Sequence, residues 1–317
     1  LLAKPGILEN LEELDLLFVD LDSDSLIQAL AAMPSLKKLA LRAHDLSDSN
    51  LIRVLDEAAL WGRLEKLYVG LLGMTEAQVA QLGARIRESA PNLKWFGFHT
   101  AFSEYGGGSF PKLETLGALP TSLEVARVMF LMGVAVDLDT LFVDGYAPRE
   151  LRLGSSTRDG DMLARTIARL DLSRVEVIDL KNSVLGPERL APLFTAEMPE
   201  LRGVRLDSCK LGDEGLEAIM DSPWFSQLHK LELENNQFTQ KHLPRLAKIL
   251  ETSALRDLNL DSNREMGIPG FKLLLEAAST RTHPLRIVYS IVEDNYIKYI
   301  IPERDDGTQW PGHIVFR

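Results

Sequence analysis

Short apolar runs recur along the chain at a near-constant interval, and most are followed by a stretch with helical periodicity. The clearest run is Leu228-x-x-Leu231-x-Leu233-x-x-Asn236-x-Phe238. Its neighbours match: Val175, Ile178, Leu180; then Leu201, Val204, Leu206; and Leu255, Leu258, Leu260. Upstream lie Leu11, Leu14, Leu16; Leu36, Leu39, Leu41; Leu64, Leu67, Val69; and Leu93, Phe96, Phe98. Extending the period through the gap after Leu93 predicts starts at Pro120 (with Leu123 and Val125) and Pro148 (with Leu151 and Leu153). Leu285 and Val288 begin a degraded last copy. Eleven starts result, at 11, 36, 64, 93, 120, 148, 175, 201, 228, 255 and 285. They recur roughly every 27 residues, a period typical of stacked-repeat architectures.

The spacing dictates local structure. Alternation in L-x-L makes a short strand with its leucines on one side, and copies stacked side by side pair in parallel. The helical stretches begin after small polar residues able to accept hydrogen bonds from first-turn amides. These are Asp48 or Ser49 before LIRVLDEAAL, Thr75 before EAQVAQLGARI and Asp213 before EGLEAIM. Eight residues after each start, Asn236, Asn263 and Cys209 are suited to satisfy backbone groups where the strand turns, and Ser183 and Ser156 are weaker substitutes. Repeats one to five carry Val19, His44, Leu72, Ala101 and Val128 there, so the N-terminal half is expected to be less regular.

The stretch VRLDSCKLGDEGLEAIM at 204–220 resembles the ribonuclease-inhibitor class of leucine-rich repeats, and the resemblance covers about residues 8–290. The texture of starts such as LGDEGL and LGPERL is similar to bacterial multi-repeat members. The resemblance implies an α/β solenoid, a horseshoe with a parallel sheet on its concave face and helices outside, built from about eleven repeats. The expected boundaries are a solenoid over 1–290 and a β-rich cap, or the start of a linker, over 291–317. In that tail IVYSIVEDNYIKYII reads as two β-rich runs about a polar turn. Residues 102–119 replace a helix with a glycine-rich stretch, read as a loop. Its Gly106–Gly108 run lacks the flanking pattern of a phosphate cradle.

Strand alternation puts the third, fifth and seventh places of each repeat on the face away from the leucines. The fifth-place column reads Asp15, Ala40, Tyr68, Gly97, Glu124, Arg152, Asp179, Arg205, Glu232, Asn259 and Tyr289. Repeats two to four place Lys38, Arg42, Lys66, Tyr68, Trp95 and His99 there, with no acid in their nine slots. Repeats eight to ten place Asp207, Glu232, Glu234, Asp257 and Asp261, with Arg205 and Lys230 at the margin. Between them Glu150, Arg152, Asp179, Lys181 and Arg205 alternate in sign, a pattern expected to pair laterally. Aromatic and arginine side chains in such settings are favoured contact points. The N-terminal patch with Tyr68 and Trp95 is therefore the first candidate surface; the acidic row reads as a solvated face, with binding of a basic partner segment as the alternative.

Charge narrows the partner. The net charge is −11 over 317 residues, which disfavours nucleic acid and anionic membrane. No apolar run approaches the roughly 20 residues of a membrane span. Cys209 is the single cysteine, so no internal disulfide is possible. The six histidines (44, 99, 229, 242, 283 and 313) form no HExxH, and G-x-S-x-G is absent. The chain starts at Leu1 rather than Met, from which we expect sequence upstream. The expectation is a non-enzymatic, cofactor-free and metal-free cytoplasmic monomer that holds a protein on its concave face. The alternatives are the substrate-recognition segment of a larger enzyme or of a secreted bacterial effector acting in a host cytosol, or a small-GTPase regulator.

Overall fold

The computed structural model describes residues 8–17, 22–42, 50–71, 74–100, 113–130, 137–154, 160–183, 185–289, 291–293 and 296–298. The chain divides into two compact units. Unit 1 is Leu1–Met162 with Arg169–Asp171, and unit 2 is Leu163–Ala168 with Leu172–Arg317.

Unit 1 carries strands β1 (Glu13–Leu17), β2 (Lys38–Arg42), β3 (Lys66–Gly70), β4 (Trp95–Thr100), β5 (Val125–Phe130) and β6 (Glu150–Arg152). Each pairs in parallel with the next. Helices α1 (Ser23–Ala31), α2 (Asn50–Glu57), α3 (Glu76–Ser89) and α4 (Leu138–Leu141) return the chain between strands. The α5 helix (Gly160–Arg169) follows β6. The period-2 leucines do what the spacing demands: Leu39, Leu41, Leu67, Val69, Phe96 and Phe98 are all 2% exposed or less.

Local chemistry fixes where elements begin. Thr75 accepts from the Gln78 amide at 3.3 Å, while its own amide donates to the Gln78 side chain at 2.7 Å. This reciprocal cap starts α3. The helix then lies against a short 3-10 turn at Leu113–Leu116 through Gly83, where a Cβ would sit 1.9 Å from the Leu116 carbonyl oxygen. No other residue fits that approach.

Unit 2 carries β7 (Val177–Asp179), β8 (Gly203–Arg205), β9 (Lys230–Glu232), β10 (Asp257–Asn259) and β11 (Arg286–Val288), again parallel in sequence order. Helices α6 (Gly186–Thr195), α7 (Gly212–Asp221), α8 (Leu243–Leu250) and α9 (Gly267–Ser279) alternate with them. Beyond β11, β12 (Ile291–Glu293) and β13 (Tyr296–Lys298) pair antiparallel, as the two tail runs predict. The rest of the expected cap, residues 299–317, lies outside the described residues, as do Asp48, Ser49 and Gly106–Gly108.

Three sequence expectations need correction. First, β5 is out of the extrapolated register. Trp95 pairs with Val125 and Gly97 with Arg127, so the repeat starts at Leu123, not Pro120. Leu123-x-x-Ala126-x-Val128 is the buried set, each 1% exposed or less. Arg127, not Glu124, takes the fifth place, and Glu124 precedes the strand, paired with Lys94 (3.5 Å) and Arg149 (3.8 Å). A constant period does not hold across the longer excursion that follows β4.

Second, β11 is shifted by one, since Leu258 pairs with Ile287 and Asn259 with Val288. Tyr289 therefore points into the core, 7% exposed, stacked on Phe271 and donating its hydroxyl to the Gly267 carbonyl at 2.6 Å. Third, Asp213 does not cap α7. It lies in the first turn, and its carboxylate accepts from the Thr239 amide (2.8 Å) and hydroxyl (2.5 Å) of the next repeat.

Candidate functional site

The turns after β7, β8 and β9 each take a side-chain hydrogen bond from the following repeat. Asn236, fully buried, accepts from the amides of Cys209 (3.0 Å) and Leu211 (3.3 Å) and donates to the Leu206 carbonyl at 2.8 Å. Asn263 repeats the arrangement one unit on. It accepts from Asn236 (2.8 Å) and Phe238 (3.3 Å) and donates to Leu233 (3.0 Å) and Leu260 (2.9 Å). Cys209 donates its thiol to the Leu180 carbonyl at 3.3 Å. Burial pushes that thiol's pKa up to about 12, which makes Cys209 a scaffold residue and a poor nucleophile. This ladder holds the face rigid without being part of it.

The unit 1 face gathers residues from five strands. Tyr68 and Trp95 rings sit 5.8 Å apart, tilted by 45°. Lys66 Nζ lies 5.0 Å from the Trp95 ring, and the Arg127 guanidinium 5.7 Å from the Tyr68 ring. The arrangement requires glycine at 97. A Cβ there would be 2.7 Å from the Trp95 ring and 2.8 Å from that of Tyr68. Tyr68 is consequently covered, 7% exposed, whereas Trp95 remains part-exposed. Glu13, from β1, reaches across to Lys38 (3.3 Å) and Lys66 (3.7 Å). The Lys38 ammonium holds the Glu13 carboxyl below its ordinary pKa. Glu13, Lys38, Lys66, Tyr68, Trp95 and Arg127 line a common cavity of about 50 Å³. The backbones of Arg42 and His99 lie on β2 and β4; their side chains fall outside the described residues.

The unit 2 face is a neutralised row rather than a bare acidic one. Arg205 lies between Asp179 (3.3 Å) and Glu232, which Lys230 also contacts at 2.6 Å. Burial opposes the charge on Arg205, but Asp179 and Glu232 outweigh it and raise its pKa. Arg286 grips Asp257 at 2.9 Å, a pairing hidden by the one-residue slip in the last repeat. Glu234 accepts from Asn259 at 3.4 Å. Asp207 accepts from the Glu234 amide at 2.9 Å, and burial raises its pKa to about 6. Asp261 is half-buried, and its Oδ1 has no partner among the described residues. In unit 1, Arg152 pairs with Glu150 of its own strand at 2.7 Å.

Among the described residues no group of three or more His, Cys, Asp or Glu is placed to hold a metal ion, and no helix is long and apolar enough to cross a membrane. Sequence reasoning missed Glu13, Arg127 and Arg286. The template Leu-x-x-Ala-x-Val at 123 carried the signal for Arg127, but strand pairing was needed to select it.

No family model matches the chain, and no curated protein sequence matches it. Among solved structures, a chain of the yeast Rad7–Elc1 complex is similar at 14% identity with a TM-score of 0.55. The match covers 93% of this chain and 77% of that one. The fold is a leucine-rich-repeat solenoid. An internalin from Listeria monocytogenes is also similar, at 14% identity, a TM-score of 0.39, and coverage of 90% and 83%.

Proposed function

We propose that this leucine-rich-repeat chain is a protein-interaction scaffold whose contact surface is the Trp95 patch on the unit 1 sheet face. The observation that carries the reading is Trp95 itself. A part-exposed tryptophan is held by Tyr68, Lys66 and the glycine at 97, on a face ringed by cations. Rigid aromatic anchors beside arginine and lysine lose little entropy on binding and dominate interface energetics. The yeast structure with the same fold is an assembly of two proteins, which supports the reading by analogy of fold. Binding rather than chemistry is also favoured by the deep burial of Cys209 and by the ion pairing of Asp179, Glu232 and Asp257 on the unit 2 face.

Affinity capture of partners by the intact chain, the Trp95→Ala variant and a control on the helix side, Glu214→Gln, tests this. Proteins retained by the wild type and the control should be depleted at least about tenfold by Trp95→Ala, the loss of roughly 1.4 kcal/mol or more expected of an anchor residue. Equal recovery by all three defeats the assignment.

A further inference from the structure

We propose that the unit 1 patch receives an extended acidic segment of its partner, and that Glu13 occupies the partner carboxylate's place in the free protein; this rests on the scaffold reading above. Four strands carry the argument. At the third and fifth places of β2 to β5 stand Lys38, Ala40, Lys66, Tyr68, Trp95, Gly97, Val125 and Arg127, a run with three cations and no acid. Such a run in a chain of net charge −11 is a local reversal of sign, bordered on β1 by Glu13 and Asp15. It favours an anionic ligand here and disfavours one elsewhere on the surface.

The geometry defines what that ligand presents. Lys38 and Lys66 are register partners on adjacent strands, about 5 Å apart along the sheet, so one carboxylate spans both. Glu13 does so now, from the neighbouring strand. Its side chain is 55% exposed and those of the lysines 45% and 36%. Exposed pairs of this kind contribute about 0–1 kcal/mol, so an incoming carboxylate displaces Glu13 at small cost. Trp95 is in register with Lys66 on the far side. An extended peptide crossing the strands advances about 3.3 Å per residue. An apolar side chain two residues beyond the acid therefore lands on the tryptophan ring. The recognised element is an acid-x-apolar triplet.

Random twelve-residue peptides displayed on phage and selected against the whole chain test this directly. The expected result is enrichment of Asp or Glu two positions from an aromatic or large aliphatic residue. That enrichment should vanish on Lys38→Glu/Lys66→Glu, with circular dichroism confirming the fold. A selected peptide, measured by fluorescence anisotropy, should bind Glu13→Gln about threefold or more tighter than wild type, the release of one exposed pair. Selection that enriches no peptide, enriches basic or uncharged ones, or yields binding indifferent to Glu13→Gln overturns the proposal. Those outcomes leave Trp95-dependent capture of an intact partner standing, so failure here and failure of the scaffold reading are told apart.

Discussion

The two units share a strand template but hold their repeats together differently. In unit 2 the ninth place of successive repeats is Ser183, Cys209, Asn236 and Asn263, and the last three bond across to the neighbouring repeat or its strand. In unit 1, with the corrected register, the same place reads Val19, His44, Leu72, Ala101, Leu131 and Ser156, with no asparagine or cysteine. Among the described residues of unit 1, side chains bond across repeats at the opposite edge of the strands. There Arg63 donates to the carbonyls of Leu30 (3.2 Å) and Pro34 (3.4 Å), Asn92 to Gly62 (2.7 Å) and the buried Tyr146 hydroxyl to Leu123 (2.8 Å). Unit 2 has that edge too, with Trp224 donating to Leu193 and Arg281 to Leu250 and Leu255. The asparagine and cysteine ladder is thus a property of the unit 2 residues, while the edge before the strands is bonded in both units.

The sharpest way to break the contrast is Asn236→Ala. It strands two buried amides and the Leu206 carbonyl, each worth about 1–3 kcal/mol when left unpaired. Urea unfolding should show a loss of about 3 kcal/mol or more, with amide exchange accelerated around Cys209 and Leu211; a loss under about 1 kcal/mol would mean the ladder is decorative.

Next in size is Gly97→Val, which drives a side chain into the Tyr68 and Trp95 rings. Overpacking of this kind costs about 1–3 kcal/mol, and near-ultraviolet circular dichroism should report the broken ring pair. An unchanged spectrum would place the rings elsewhere.

A smaller effect follows from Asp207. Its folded pKa of about 6 lies above the ordinary 3.8, so the native state binds the proton more tightly than the unfolded one. Its charge then weakens the fold above about pH 6, a penalty that fades as pH falls through 6 towards 4. Asp207→Asn should be more stable than wild type at pH 7 by on the order of 1–2 kcal/mol. That advantage should disappear near pH 4; an advantage constant with pH would point to another cause. Least of all, Ser183→Ala removes a buried hydroxyl that has no partner among the described residues and should stabilise by up to about 1 kcal/mol, read as a rise in melting temperature. A clear fall would show that the hydroxyl is satisfied.

Much of this was legible in the residues, because leucine spacing reports strand and register directly wherever the period is steady. The fold and nine of the eleven starts follow from it, and so does the scaffold role of Cys209. The signal fails where the period changes, at Leu123 and again at Ile287. A slip in a period-2 element reassigns every side chain, which is why spacing alone loses Arg127, misplaces Glu124 on the face and puts Tyr289 at the surface. Partner choice among charges is harder still. Nothing in the spacing distinguishes Arg152 bonding within its strand from Arg205 bonding across two. Nor could it show that Glu13 reaches the lysines of β2 and β3, since side-chain reach rather than periodicity decides that.

The asparagine ladder has a direction. Asn236 completes the turn of the repeat before its own, and Asn263 completes that of Asn236. During synthesis the chain emerges from its N-terminal end, so the turn at Cys209 stays open until residue 236 has left the ribosome, some 27 residues later. Along this ladder each repeat is therefore finished by its successor, like a zip whose teeth close one behind the slider, and a nascent chain paused between Cys209 and Asn263 carries one unclosed turn at its growing end.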